Sequence, residues 1–327
     1  MISRRAFLGT VAGGLLTAPF AAEAQQARKM PKIGILTFNS PVVLPGEEFF
    51  WERMRELGWV EGQNVVVERR GAAGDLDRIP IVAGELVKLK VDVMTIWGGG
   101  VATRAREADR TVPICVRAAD LQAEGLVANL AKPEGNVTGV QTIQADLAGK
   151  RLEILREVVP GLTRVGVLIA DTTTTRIRII RNAEDAARAM GLQLYVPEVN
   201  RTPDDFPQIF STLIKNGVRG LSIVNSPRLN LHYKQLAALA VKDHIATISD
   251  FQEWPQVGGL IAYGPLVSEI SRQWAECVNK ILRGAKPAQV QVQQPTKFAL
   301  IIILKTAKAL GLTIPDSLLG RADEVIQ

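Results

Sequence analysis

The chain has 327 residues, of which 47% are hydrophobic and 22% charged, and its formal net charge is +6. That length exceeds one average domain and predicts two, each able to bury a core of its own. The basic residues are scattered rather than gathered in a block, which excludes a polybasic nucleic-acid arm, and beyond the N-terminus no stretch is apolar over a bilayer's thickness.

Ser3-Arg4-Arg5-Ala6-Phe7-Leu8 is a twin-arginine pattern, and a Gly/Ala-rich apolar stretch runs from Gly9 to Ala22. Ala22 and Ala24 then supply the small residues that a signal peptidase reads. Residues 1–24 are therefore expected to be an export leader, with a mature, soluble periplasmic chain starting near Gln25. No cysteine follows the apolar stretch, so no lipid attachment is expected.

From Lys32 onward short apolar runs alternate with amphipathic ones. Ile33–Phe38, Val65–Val67, Val91–Trp97, Ile114–Val116 and Val137–Ile143 read as strands, because each is a short apolar run bounded by turn residues. Phe50, Met54 and Leu57 fall at helical spacing between the first two, as do Ile79, Val82, Leu86 and Leu89 before the third. Single helices between buried strands imply a parallel sheet with right-handed crossovers. The pattern then restarts. Val165–Ile169, Leu192–Val196, Leu221–Val224 and Ile245–Ile248 are the strands of a second unit, with helices between them.

The tail carries a strand at Leu260–Tyr263, a long helix through Trp274, Cys277 and Ile281, an apolar run at Phe298–Leu304 and a short helix at Thr306–Leu312. These are too few for a third core, so they are expected to return to the two existing sheets. The predicted fold is α/β, two doubly wound parallel-sheet lobes joined by a multi-strand hinge. One lobe takes residues 31–143 plus 264–290, the other 144–263 plus 291–327. Cys115 and Cys277 both read as small buried hydrophobes, and a disulfide between them is open in an oxidising compartment.

Familiar catalytic patterns are scarce. The two histidines, His232 and His244, lie in or beside one helix; no cluster has metal-ligand spacing, and neither a G-x-S-x-G elbow nor a Walker A sequence occurs. Gly98-Gly99-Gly100 follows a strand and opens a helix, with Asp120 further on, which is part of a dinucleotide fingerprint. Thr103 stands where the third glycine belongs, and the run follows the third strand rather than the first. An exported NAD(P)-dependent oxidoreductase is thus the rival to a binding protein, and a sugar-repressor-like regulator is a third class, one that needs a DNA-binding headpiece.

In open α/β sheets ligands bind beyond the carboxyl ends of the strands. In the first lobe those ends carry Asn39 and Ser40, Gly98, Gly99 and Gly100, Asp120, and Gln141 with Thr142. The second lobe offers Asp171, Thr172 and Thr174, then Asn225 and Ser226, then Asp250 and Phe251, with Tyr263 on the last strand. Hydroxyl and N–H donors at Thr172–Thr175, Ser40 and Gly98–Gly100 suit a carboxylate beside a helix N-terminus. Asp250 or Asp120 suits an ammonium, and Phe251, Tyr263 and Trp97 suit an apolar wall.

Several longer motifs point to one family. They are Gly58-Trp59-Val60-Glu61-Gly62-Gln63-Asn64, Pro133-Glu134-Gly135-Asn136-Val137-Thr138-Gly139, Lys150-Arg151-Leu152-Glu153-Ile154-Leu155, Gly258-Gly259-Leu260, and Gln293-Gln294-Pro295-Thr296-Lys297-Phe298 leading into Leu304–Leu312. Over its whole length the chain resembles the periplasmic substrate-binding components of ABC transporters, tryptophan-type binding proteins among them. The resemblance implies a type I periplasmic-binding-protein fold without catalysis or cofactor. It also implies a monomer that captures a small organic ligand, an amino acid or organic acid, and hands it to a membrane permease with its ATPase. The loop after Ala170 is Asn-Pro-Asn-Asn-Pro in typical members and Asp171-Thr172-Thr173-Thr174-Thr175 here. Asn225-Ser226-Pro227-Arg228 likewise departs from the common Asp-Pro-Phe type. Both departures lie where ligand would bind, so the resemblance does not by itself assign the aromatic ligand of some relatives to this chain.

Overall fold

The structure, a computed structural model, describes residues 30–40, 44, 46–170, 174–199 and 205–327. The predicted leader and the residues Asp171 and Thr172 lie outside these. The first sheet is built from β1 (Lys32–Thr37), β2 (Val66–Gly71), β3 (Val93–Trp97), β4 (Ile114–Ala118) and β5 (Val137–Gln141), in the order β2-β1-β3-β4-β5 with all strands parallel. Between them run α1 (Glu47–Glu56), α2 (Ile79–Lys88) and α3 (Gly99–Ala108).

Alternation along the strands explains the layering. Leu36, Met94, Ile96, Ile114 and Val116 point to the face covered by α2 and α3. Ile33, Ile35, Val93 and Cys115 point to the other face, against α1 and the later helix α8 (Val267–Leu282). Successive side chains leave a strand on opposite sides, so a strand buried on both faces reads as one apolar run. In α8, Val267, Ile270, Trp274, Cys277, Val278 and Ile281 are buried, the three-and-four spacing of a single helical face.

The second sheet gathers β6 (Arg164–Leu168), β7 (Gln193–Tyr195), β8 (Gly220–Ile223), β9 (Ala246–Ser249), β10 (Ile261–Pro265), β11 (Phe298–Ile303) and β12 (Glu324–Ile326) in the order β12-β11-β10-β9-β8-β6-β7. Its helices are α4 (Ala148–Val158), α5 (Thr174–Ala189), α6 (Phe206–Lys215) and α7 (Tyr233–Lys242), with α9 (Leu304–Ala309) and α10 (Asp316–Leu319) at the end of the chain. Helices α4 and α5 cover one face; α6 and α7 cover the other. The two-lobed α/β architecture expected from the sequence is present.

Two features depart from a purely parallel reading. β10 and β11 pair antiparallel, Tyr263 opposite Leu300, and β12 adds a short edge strand parallel to β11. The antiparallel pair arises because the chain leaves the second sheet at Leu266, contributes α8 to the first lobe, and returns through residues 283–297 from the opposite end. With the link at 142–147, three connections cross between the sheets.

Cys115 on β4 and Cys277 on α8 form a disulfide, their Cα atoms 6.4 Å apart. Both are buried, as their apolar surroundings predicted, and the pairing left open by the sequence is settled in favour of a bond. The indole Nε1 of Trp274 donates to the carbonyl of Cys115 at 2.9 Å, a second tie between the same elements.

Candidate functional site

Strand ends from the two sheets converge. The residues following β3, β4 and β5 meet those following β8 and β9, together with the start of α5, around a cavity of about 40 Å3. Trp97, Gly98, Gly99, Arg117, Glu124 and Thr142 form the wall on the first lobe's side; Thr175, Asn225, Pro227 and Asp250 form it on the other.

Asp250 is the best anchored of these groups. One carboxylate oxygen accepts from the backbone N–H of Asn225 at 2.7 Å, the other from Gln144 Nε2 at 2.5 Å. Gln144 also donates to the Asn225 carbonyl at 3.2 Å, and Tyr233 holds the Asn225 side chain through its hydroxyl at 2.8 Å. Behind Gln144 lies Arg151, wholly buried on α4, whose Nη2 donates to the Gln144 carbonyl at 2.8 Å. Burial pushes the Arg151 guanidinium below its ordinary range, and the nearby charge of Asp250 acts in the opposite sense. A buried carboxylate persists when such donors and a counter-charge surround it.

Arg117 at the end of β4 is 3% exposed, and its guanidinium lies over the Trp97 ring, 5.3 Å from the centroid. Desolvation lowers its pKa to about 10, against the attraction of Glu253 and Asp250. Burial in turn raises the Glu253 carboxyl.

The two lobes touch directly. Asn39 Nδ2 donates to the Pro227 carbonyl at 2.8 Å and to Asn230 Oδ1 at 3.2 Å. Thr175, in the first turn of α5, donates its hydroxyl and its backbone N–H to Glu124 Oε1 of the first lobe. Arg178 on α5 pairs with buried Asp120, and with Asp146 at 2.7 Å. Gly98 and Gly99 permit this closeness. A Cβ on Gly98, whose φ is +105°, would sit 3.2 Å from Pro227, and one on Gly99 would sit 2.6 Å from Glu124 Cγ. The Glu124 side chain therefore lies directly against the glycine run at Gly99.

The structure places the remaining expected site residues variously. Gly98, Gly99, Thr142, Asn225 and Asp250 line the cavity, and Ser226 is buried between two lining residues. Asn39 and Ser40 line a second, wider interlobe cavity of about 730 Å3 with Ala73–Asp77, Arg104, Arg228 and His232. Gly100 is the second residue of α3, and Thr174 is exposed at the start of α5. Asp120 serves the Arg178 pair and the turn N–H groups of Gln122 and Ala123; Gln141 accepts from the Leu121 N–H. Phe251 packs on Tyr233, ring centres 4.8 Å apart, and Tyr263 packs against the core beneath α4 and α5. Sequence reasoning found Thr175 within the run Thr172–Thr175 and missed Arg117, Glu124 and Gln144. A signal existed for Arg117, a single cation closing an apolar strand. Glu124 and Gln144 sit in turns that strand periodicity does not reach.

Among the described residues no group of His, Cys, Asp and Glu could hold a metal ion, and no helix is long and apolar enough to cross a membrane. Two doubly wound lobes with a polar cleft at their strand ends define a two-lobed ligand receptor. Residues 40–326 match the family of ABC transporter substrate binding proteins, and the chain belongs to that family. It is 23% identical over 292 residues to a tyrosine-binding protein of Clostridioides difficile, covering 88% of this chain and 82% of that one. Among solved structures it resembles a conserved domain protein from Vibrio cholerae, with a TM-score of 0.83, 20% identity and coverage of 91% and 100%. It also resembles the ABC domain of a Streptococcus pneumoniae protein in complex with L-Trp, with a TM-score of 0.80, 21% identity and coverage of 90% and 99%.

Proposed function

We propose that the protein is the solute-binding receptor of an ABC importer. It captures a small organic ligand, an amino acid or organic acid, between its lobes and delivers it to the permease. The observation that carries this reading is the convergence of strand ends from both sheets on Asp250, Arg117 and Thr142, with lobe-to-lobe bonds closing around them. Such a cleft binds by favouring the closed state only as far as the ligand contacts both walls. A relative named for tyrosine binding and a neighbour holding L-Trp support the amino-acid branch.

The buried Cys115–Cys277 bond fits an oxidising compartment, which agrees with export through the leader read at residues 1–24. The chain is taken to work as a periplasmic monomer, with residues 31–143 plus 264–290 in one moving lobe and 144–263 plus 291–327 in the other. The test of binding is a thermal-shift and calorimetric screen of purified protein, since saturation at a hundred times Kd adds about 2.7 kcal/mol of stability. A complete screen of amino acids and organic acids without a hit refutes the receptor reading. N-terminal sequencing of exported protein tests the start near Gln25, and Arg4→Lys with Arg5→Lys tests the twin-arginine route.

A further inference from the structure

The cleft's chemistry narrows the ligand class, an inference that rests on the receptor reading. The places where a ligand carboxylate would be expected to sit are taken by the chain's own carboxylates. The N–H and hydroxyl of Thr175, at the start of the 16-residue helix α5, both point at Glu124 from the opposite lobe. The Asn225 N–H and the Gln144 amide both point at Asp250. These four donors are thus already engaged.

Charge points the same way. The ionisable groups that line the cavity are Glu124 and Asp250 against Arg117, a local balance of −1. The chain as a whole carries +6, so the cleft is acidic within a basic protein. A cleft walled by one sign of charge concentrates the opposite sign of ligand. The one guanidinium in the wall, Arg117, lies over Trp97 and is attracted by Asp250 and Glu253, so its charge is balanced within the protein. Asp250 and Glu124 keep acceptor capacity, because an ionised carboxylate offers about four lone-pair directions.

The stacking partner that an aromatic side chain would need is taken. The Arg117 guanidinium lies over the Trp97 ring, 5.3 Å from its centroid. We propose that the cleft selects an aliphatic ammonium ligand, a cationic amine without a carboxylate, held between Asp250 of the second lobe and Glu124 of the first.

The test is calorimetry and thermal shift on the mature protein with three sets of probes: putrescine and agmatine; succinate and pyruvate; L-tryptophan and L-tyrosine. At least one amine is expected to bind, with the acids and aromatic amino acids silent. Asp250→Asn and Glu124→Gln are each expected to weaken that amine about tenfold or more, the cost of losing a charge-assisted bond. Asp250 is buried, so loss of fold in its variant is read out by circular dichroism; Glu124 is only half-buried, and Glu124→Gln keeps the test decisive. Unchanged amine affinity in folded Glu124→Gln overturns the placement. Binding of succinate or L-tryptophan with the amines silent overturns the ammonium inference and leaves the receptor reading intact. Silence in all three sets overturns the ammonium inference, and silence across the complete screen of amino acids and organic acids overturns the receptor reading as well.

Discussion

Replacing both Cys115 and Cys277 with alanine would release α8 from β4, and the effect can be worked out from the chain. The two positions are 162 residues apart in sequence. Closing a loop of that length removes chain entropy from the unfolded state worth about 5 kcal/mol at 25 °C in the polymer estimate, while natural disulfides in practice contribute about 2–5. The packing loss is smaller, because both side chains become alanine inside a cluster that retains Phe50, Trp274, Val278 and Ile281. Urea unfolding followed by far-UV circular dichroism should therefore show a large fall in stability. It should also show a steeper dependence on urea, since an unlinked chain exposes more surface when unfolded. The slope separates the two mechanisms: lost packing lowers the midpoint without changing it. A double variant that loses under about 1 kcal/mol, with the slope unaltered, would refute the argument that the link acts through the unfolded chain.

Further consequences follow from individual contacts. Arg178→Ala removes the partner of buried Asp120 across the cleft, so small-angle X-ray scattering should report a larger radius of gyration than for the wild type; an identical radius would show that the pair does not hold the lobes together. A methyl on Gly264 would stand 2.5 Å from the Asp250 carbonyl, so Gly264→Ala should push β10 off β9, cost about 1–3 kcal/mol and weaken ligand binding, measured by thermal unfolding and calorimetry. Glu56 joins Arg53 on its own helix to Arg272 on α8, and hydrogen bonds from Arg272 first and then Arg53 hold its pKa at about 2, below the ordinary 4.5. A depressed carboxylate pKa stabilises the fold above about 4.5 and loses that contribution as pH falls towards 2. Glu56→Gln should flatten that stretch of the stability–pH profile, and an unchanged profile would show the bridge to be inert.

Much of the fold was legible because parallel strands buried on both faces read as unbroken apolar runs. Val93–Trp97 and Ile114–Ala118 are wholly buried, and nothing polar interrupts the first except Thr95, which bonds the Gly34 carbonyl. The tail was harder. Phe298–Ile303 announces a strand but not its direction, which is set by α8 having carried the chain to the far end of the sheet. Glu324–Ile326 is short, with two of its three residues exposed, so it has no periodic signal.

The site was legible to the extent that it follows strand ends. Asp250 and Asn225 are the first polar residues beyond β9 and β8, and the rule that ligands meet strand carboxyl ends finds both. The rule is silent on which polar end faces the cleft and which is consumed inside a lobe. Phe251 follows Asp250 directly, yet turns into the core on Tyr233 because neighbouring residues leave a strand end in opposite directions. Asp120 lies at an equally favourable end and is spent on Arg178 and two turn N–H groups. The threonine run before α5 was assigned to a ligand carboxylate on sound electrostatics, and the structure shows a carboxylate at Thr175. It belongs to Glu124, contributed by a turn of the other lobe more than 50 residues away in sequence. One-dimensional reading can find the donor, but which acceptor reaches it is decided by how the two lobes meet.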